Sequence, residues 1–586
     1  MQTTFIVRFL YAGLLASGVA GPLLIVPGCH SEAAVAAAPP QPAGRQTPEL
    51  PQGYVDARYV RPTGKRIDVK AGGDLQAALD KAQPGDTVVL EAGAVFSGSF
   101  TLPLKPADTA GWIVVESSAV ADGRLAPGVR VSPDDAALMP KLEASSGPVL
   151  RTAQGAHHYR LIGLELRPGP ASVSKALSWL HGFSLGGGAP AAPKAAFLAN
   201  LFVIGNGDKS IETLAHHIIV DRCYLHGDPQ VGARRGVAMN GRYVAVIDSY
   251  LSDFKQVGED SQALSAWNGT GPFMIVDDYL EAAGENVLFG GTDPTIPNLV
   301  PSDIEVRGNH FSKPLAWKKD DPAYQGTPWS VKNIFELKNA QRVLVEGNLL
   351  EYNWAQSQDG FSILFTVRDQ DGSAPWSVVQ DVTFKDNVVR HVANGINILG
   401  YDNNHPSRQT QRIQVSNNLF EDVGGPWGPG VLLMMGDGSR DVAFSHNTSL
   451  QTGTIVFSDG RAVSGFSYTD NIAPHNRYGI IGTNKGVGVS TISAYFPGAK
   501  LRRNVIVGAA PQQYPSGNFF PKDLGGVGFA RMGARDYRLA PGSAYKAGAD
   551  DGGDIGVDVD QLCASLDAYD PHLGDSVPSC VAAQGH

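Results

Sequence analysis

The sequence predicts an all-β fold, a right-handed parallel β-helix closed at its N-terminal end by a capping helix. Three observations carry that expectation. A short strand pattern with Asn at one fixed phase recurs along the chain. A second strand series falls between its copies, and a helix-turn-strand passage precedes them all.

The recurring pattern is apolar, polar, apolar, two variable residues, Asn, apolar. It reads Ile304 to Asn309, Val343 to Asn348, Val382 to Asn387, Ile413 to Asn418, Val442 to Asn447 and Phe466 to Asn471. Upstream, Cys223, Ser249 and Asp278 hold the same slot, and successive slots lie 24–39 residues apart. Alternation sends the apolar side chains of such a strand inward and the polar ones outward. Gly, Asn and Asp bound the strands because they favour turns and tolerate the left-handed backbone region. Stacked Asn side chains can bond from coil to coil, a phasing that a sandwich of short strands does not require.

The second series includes Gly236–Asn240, Leu264–Asn268, Asn286–Gly290, Ile334–Lys338, Leu364–Arg368 and Ile396–Gly400. Two strand families with a short linker strand suit a three-sided coil. Before them, Leu75–Ala82 reads as an amphipathic helix N-capped by Asp74. Pro84-Gly85-Asp86 then turns the chain into a first strand at Thr87–Leu90. The domain reading is a signal segment at 1–28, a disordered Ala/Pro-rich linker at 29–65, the β-helix at 66–560 and a tail at 561–586.

With 586 residues and 43% hydrophobic content the chain has ample material for a large core. A net charge of −10 and the lack of any long Lys/Arg run exclude nonspecific nucleic-acid binding. The apolar run Phe9–Val26, broken by glycines and Pro22 and preceded by Arg8, reads as an export signal. Gly28-Cys29 offers a lipid attachment point at Cys29. The expected location is periplasmic, outer-membrane or secreted, and the expected state is a monomer. Of the four cysteines, Cys223 is expected as a buried thiol, and Cys563 with Cys580 as a disulfide. His157-His158 and His216-His217 precede strands and read as turn residues.

The passage "DLQAALDKAQPGDTVVLEAGAVFSGSFTL" and the later "DYRLAPGSAYKAGADDGGDIGVDVD" resemble the entry and exit of the pectate-lyase-like β-helix superfamily. That resemblance implies fold more than reaction.

Candidate chemistry starts from alternation. It turns Phe335 and Leu337 inward and Glu336 and Lys338 outward, and on the next coil turns Arg368 outward. Aligning these strands sets Arg368 beside Lys338 at about 5 Å along the backbone. Paired cations suit β-elimination on a uronic acid polymer. Lys removes the proton at C5, and Arg holds the carboxylate or protonates the leaving oxygen. "FELKNAQRVLVEGNLLEYN" followed by "FSILFTVRD" resembles the chondroitinase B and alginate lyase group. That resemblance implies Lys338 as base, Arg368 as acid, and calcium held by Glu336 with Glu285. The implied partner is an anionic polysaccharide.

The intervals flanking slot 348 are the longest, and their extra chain forms loops carrying Trp317, Trp329 and Trp354. Together with Trp267 and Asp402 these are the candidate substrate-binding residues; the loop tryptophans serve equally well as packing. Three other functions compete. One is a glycoside hydrolase using Glu336 and Asp402 as a carboxylate pair. The others are a uronan epimerase and a glycan-binding surface protein without catalysis.

Overall fold

Period-two alternation repeated once per coil produces three parallel sheets. The structure is a computed structural model that describes residues 46–106, 111–184, 200–205, 207–570 and 572–582. Among these, the sheets have fourteen, thirteen and twelve strands, and each coil donates one strand to each sheet in turn. The chain is a right-handed parallel β-helix.

Register is strict. Val244, Phe273, Ile304, Val343, Val382, Ile413 and Val442 form one inward column of the fourteen-stranded sheet. All are buried in one continuous core that runs the length of the solenoid. A slip of one residue would turn every one of them to the outside.

At the corner between the fourteen- and thirteen-stranded sheets runs the Asn ladder. Nδ2 of Asn309 donates to Oδ1 of Asn348 at 2.9 Å, and the same bond links Asn348 to Asn387, Asn387 to Asn418, Asn418 to Asn447 and Asn447 to Asn471. Upstream, the amides of Cys223, Ser249 and Asp278 donate to the next slot's side chain in the same way. The ladder runs on through Asn504 to Asn518, beyond the last slot expected. Each side chain therefore supplies at the corner the partners that a bent backbone cannot find in a sheet.

The capping helix is Leu75–Lys81, and the Asp74 side chain accepts from the Ala77 amide at 2.9 Å. Two boundaries differ from expectation. Residues 46–65 are no disordered linker. They lie extended along the fourteen-stranded sheet, with Val55 packed on Ile219, Ala245 and Ile247, and with the Glu49 and Gln52 amides donating to Asp381 and Asp303. The parallel strands end at Val507 rather than near 560. Phe529–Arg531 and Asp536–Leu539 then pair antiparallel.

A helix at Val559–Asp567 and the Cys563–Cys580 disulfide follow, packed on Leu349, Val388 and Leu419. The helix crosses so closely that a Cβ at Gly347 would lie 2.3 Å from the Ser565 carbonyl oxygen. Cys223 is a buried free thiol. No helix among the described residues is long and apolar enough to cross a membrane. The signal segment and Cys29 lie outside the described residues.

Candidate functional site

Lys338 and Arg368 sit where strands of the twelve-stranded sheet, Asn333–Leu337 and Phe361–Thr366, turn toward the fourteen-stranded one. The register pairs Phe335 with Ile363 and Leu337 with Phe365. Lys338 is therefore level with Thr366, not with Arg368. The chain past Thr366 nevertheless closes the offset, because the Arg368 amide donates to the Lys338 carbonyl at 2.9 Å. Both side chains remain partly open, at 18% and 17% exposure.

Each cation has its own carboxylate. Lys338 Nζ lies 3.6 Å from Glu336 on its own strand. Arg368 reaches the next coil, where it pairs with Asp402 and donates to Asn403 Oδ1 at 2.6 Å. Asp402 is fully committed: its other oxygen accepts the Asp369 amide at 2.8 Å, and it also accepts the Asn404 amide. Its carboxylate is buried beneath the guanidinium, so it offers nothing to a ligand here.

Glu336 does face outward, between Leu288 and Leu364 on neighbouring coils. It is nonetheless 2% exposed, because the outer face is covered at this point. Its second oxygen accepts from Asn333 Nδ2 at 2.7 Å. On the preceding coil, level with Asn333, Glu285 is fully buried. It accepts from Gln262 Nε2 at 2.7 Å and lies 3.6 Å from Lys332, which also pairs with Asp260. Burial raises the Glu285 pKa, and the Asp260 charge adds to the rise.

These residues do not fit calcium. The ion takes six to eight oxygen ligands. Here Glu285 and Glu336 are flanked by Lys332 and Lys338, which already stand where a cation would. The buried carboxylates also undo the hydrolase pairing of Glu336 with Asp402.

The tryptophans are corrected too. Trp317, Trp329 and Trp354 are buried with Ala283 and Val331 in a small cluster under the long loops. Lys255 Nζ sits 5.1 Å and 5.3 Å from the Trp317 and Trp329 ring centroids, a cation held between two aromatic faces. None of the three presents a face to a sugar. Trp267 is half-buried, with the Arg235 guanidinium stacked at 5.1 Å. Loop packing of this kind has no periodicity, so no sequence signal separates it from an open aromatic platform.

No family model matches the chain, and no curated protein does. Solved structures do share the solenoid. An alginate lyase of family PL6, AlyGC, aligns with a TM-score of 0.44 at 14% identity over 77% of this chain and 53% of its own. This chain thus spans about half the length of that enzyme. The catalytic unit of a GH87 α-1,3-glucanase from Streptomyces thermodiastaticus gives 0.43 at 11% identity, over 80% of this chain and 71% of the glucanase. The tailspike of Escherichia coli bacteriophage HK620, solved with a pentasaccharide, gives 0.41 at 11% identity, over 78% and 66%.

Proposed function

We propose that this chain is an exported carbohydrate-active protein that cleaves a uronic-acid-containing polysaccharide by β-elimination at Lys338 and Arg368. The observation that carries this reading is the placement of two partly open cations on adjacent coils, tied by the Arg368–Lys338 backbone hydrogen bond. Glu336 holds Lys338 and Asp402 holds Arg368 by ion pairs, and each cation keeps part of its side chain open to solvent.

In this mechanism the Arg368 guanidinium receives the substrate carboxylate in place of a metal, which spreads the charge that develops as C5 loses its proton. The neutral form of Lys338 takes that proton on Nζ. The C5–H electron pair forms the C4–C5 double bond, and the C4–O bond breaks. The departing oxygen takes a proton from the ammonium of Lys338 or from water, which balances the step.

The test is incubation of purified protein with a panel of anionic glycans, read by the near-ultraviolet absorbance of the unsaturated product. Absorbance that grows with time supports the reading. Reducing ends without absorbance replace it with hydrolysis, a change of stereochemistry alone replaces it with epimerisation, and binding without turnover replaces it with a glycan-binding role.

A further inference from the structure

Five and four coils from Lys338, about 24 and 19 Å along the solenoid axis, two His-His pairs open the adjacent strands His157–Ile162 and His216–Asp221. They are strand residues, not turns. In a regular strand the two members of each pair would point to opposite faces. His158 and His217 instead take φ of +57° and +55°, a region that non-glycine residues seldom occupy. That twist brings the second ring to the same side as the first.

Register sets His157 against His216, and the rings form a two-by-two array. His157 stacks on His216 with centroids 4.9 Å apart, and His158 on His217 at 4.4 Å. Within each pair the Nδ1 atoms face one another, at 3.0 Å in the first and 2.7 Å in the second. Trp112 meets the edge of His158 at one end, and Tyr243 stacks on His217 at the other.

We propose that His158, His216 and His217 form a binding site for a transition-metal dication of the zinc class, with a further coordination position open to solvent. Their ligand atoms all lie within 4.8 Å of one another. Zinc–nitrogen bonds of 2.0–2.1 Å put tetrahedral ligand nitrogens about 3.3–3.4 Å apart, so small ring rotations complete the set. An all-imidazole set selects zinc, copper, nickel or cobalt over calcium and magnesium, which want oxygen. His157, His158 and His216 also line a cleft of about 640 Å³ together with Gln154 and Glu212, which gives an ion its entry path and an outside ligand its place.

Two charged groups bear on the site. Arg242, level with His216 on the next coil, opposes a dication. Lys105 lines the cleft too, but its ammonium is turned to the Leu79 and Asp80 carbonyls. A ladder of stacked rings that serves packing alone is the competing account, and it makes a different prediction for phenylalanine.

The full chain, stripped with a chelator and dialysed, is titrated with Zn2+ and Co2+. One ion per chain is expected, and Co2+ is expected to give visible absorption of an imidazole-bound low-coordinate ion. His216→Phe and His217→Phe preserve the stack and should each weaken binding at least 100-fold, while Arg242→Gln should tighten it several-fold. If wild type binds no ion, or the phenylalanine variants bind as tightly as wild type, the site is wrong. Should a variant fail to fold, acylation of the imidazoles by diethyl pyrocarbonate in wild type decides. Zn2+ should protect the peptides carrying His158, His216 and His217, and labelling that metal leaves unchanged overturns the proposal. None of these readouts depends on glycan cleavage.

Discussion

Lys338 and Arg368 are joined through the backbone at 2.9 Å while their side chains diverge, Lys338 to Glu336 on its own strand and Arg368 to Asp402 on the next coil. The pair is therefore a fork opening outward rather than two heads in contact.

Lys338→Arg keeps a cation beside Glu336 but removes the amine that can lose its proton. Elimination should fall by about 10²–10⁴ while the fold is retained. Lys338→Ala should lose the same activity. It should also lose about 1–3 kcal/mol of stability, because Glu336 keeps only the Asn333 hydrogen bond and the more distant Lys332 charge. Initial rates of ultraviolet absorbance and urea unfolding check the two effects separately.

Arg368→Ala strands the buried Asp402 carboxylate. A cost of about 1–3 kcal/mol is expected, reduced from that of a fully buried pair because the guanidinium is partly solvated. The double variant Arg368→Ala/Asp402→Asn should recover much of that stability without recovering activity. Urea midpoints of the three proteins test this. If the double variant is no more stable than the single one, the ion pair is not the source of the loss.

The ladder can be broken at Asn387, whose side chain donates to the Val345 and Lys385 carbonyls and to Asn418, and accepts from Asn348. Asn387→Ala should destabilise by about 2–4 kcal/mol, several buried hydrogen bonds at once. Amide exchange should quicken first in the coils carrying Asn348 and Asn418, its ladder neighbours.

Asp248 and Asp277 face one another on adjacent coils near the tail. Burial raises Asp248 to about 6 and Asp277 to about 8. The Asp221 charge adds to the rise at Asp248, and the Asp248 and Asp570 charges add to it at Asp277, against the pull of Arg130 at 3.1 Å. An unfolded Asp titrates near 3.9. The folded state thus holds these protons more tightly. Its stability from them is complete below about pH 4 and is lost as the pH rises through 6 and 8. Asp277→Asn should remove most of that slope. The variant should gain about 1–3 kcal/mol on wild type between pH 5 and 9, allowing for solvent near a partly exposed pair. Equal pH profiles for the two proteins would show that the pair does not titrate in this range.

What the sequence revealed was whatever repeats. The Asn slots and the inward columns recur at one phase, so each copy supports the others. Asn504 fits the same pattern in Leu501-Arg-Arg-Asn504-Val and was there to be found. Corners and loops carry no such redundancy. The one residue between Thr366 and Arg368, Val367, lies where the register shifts by an amount that no periodicity fixes. The packing of Trp317 and Trp329 involves Lys255, which lies more than 60 residues upstream. The left-handed backbone at His158 and His217 was equally hidden, since histidine gives no signal for it.

The first and last described segments lie across the solenoid's outer face. Glu49 is bonded to Asp381, 332 residues away, and Arg130 to Asp570, 440 residues away. A stack of coils held only by neighbours behaves like a row of dominoes that can peel from either end, each coil opening almost independently. These two crossings couple coils far apart in the row, so an end cannot fray without releasing a contact near the middle. Under a pulling force applied at the termini, the first event should be the release of the straps in one step. The coils should then unwind in a series of smaller, evenly spaced ones.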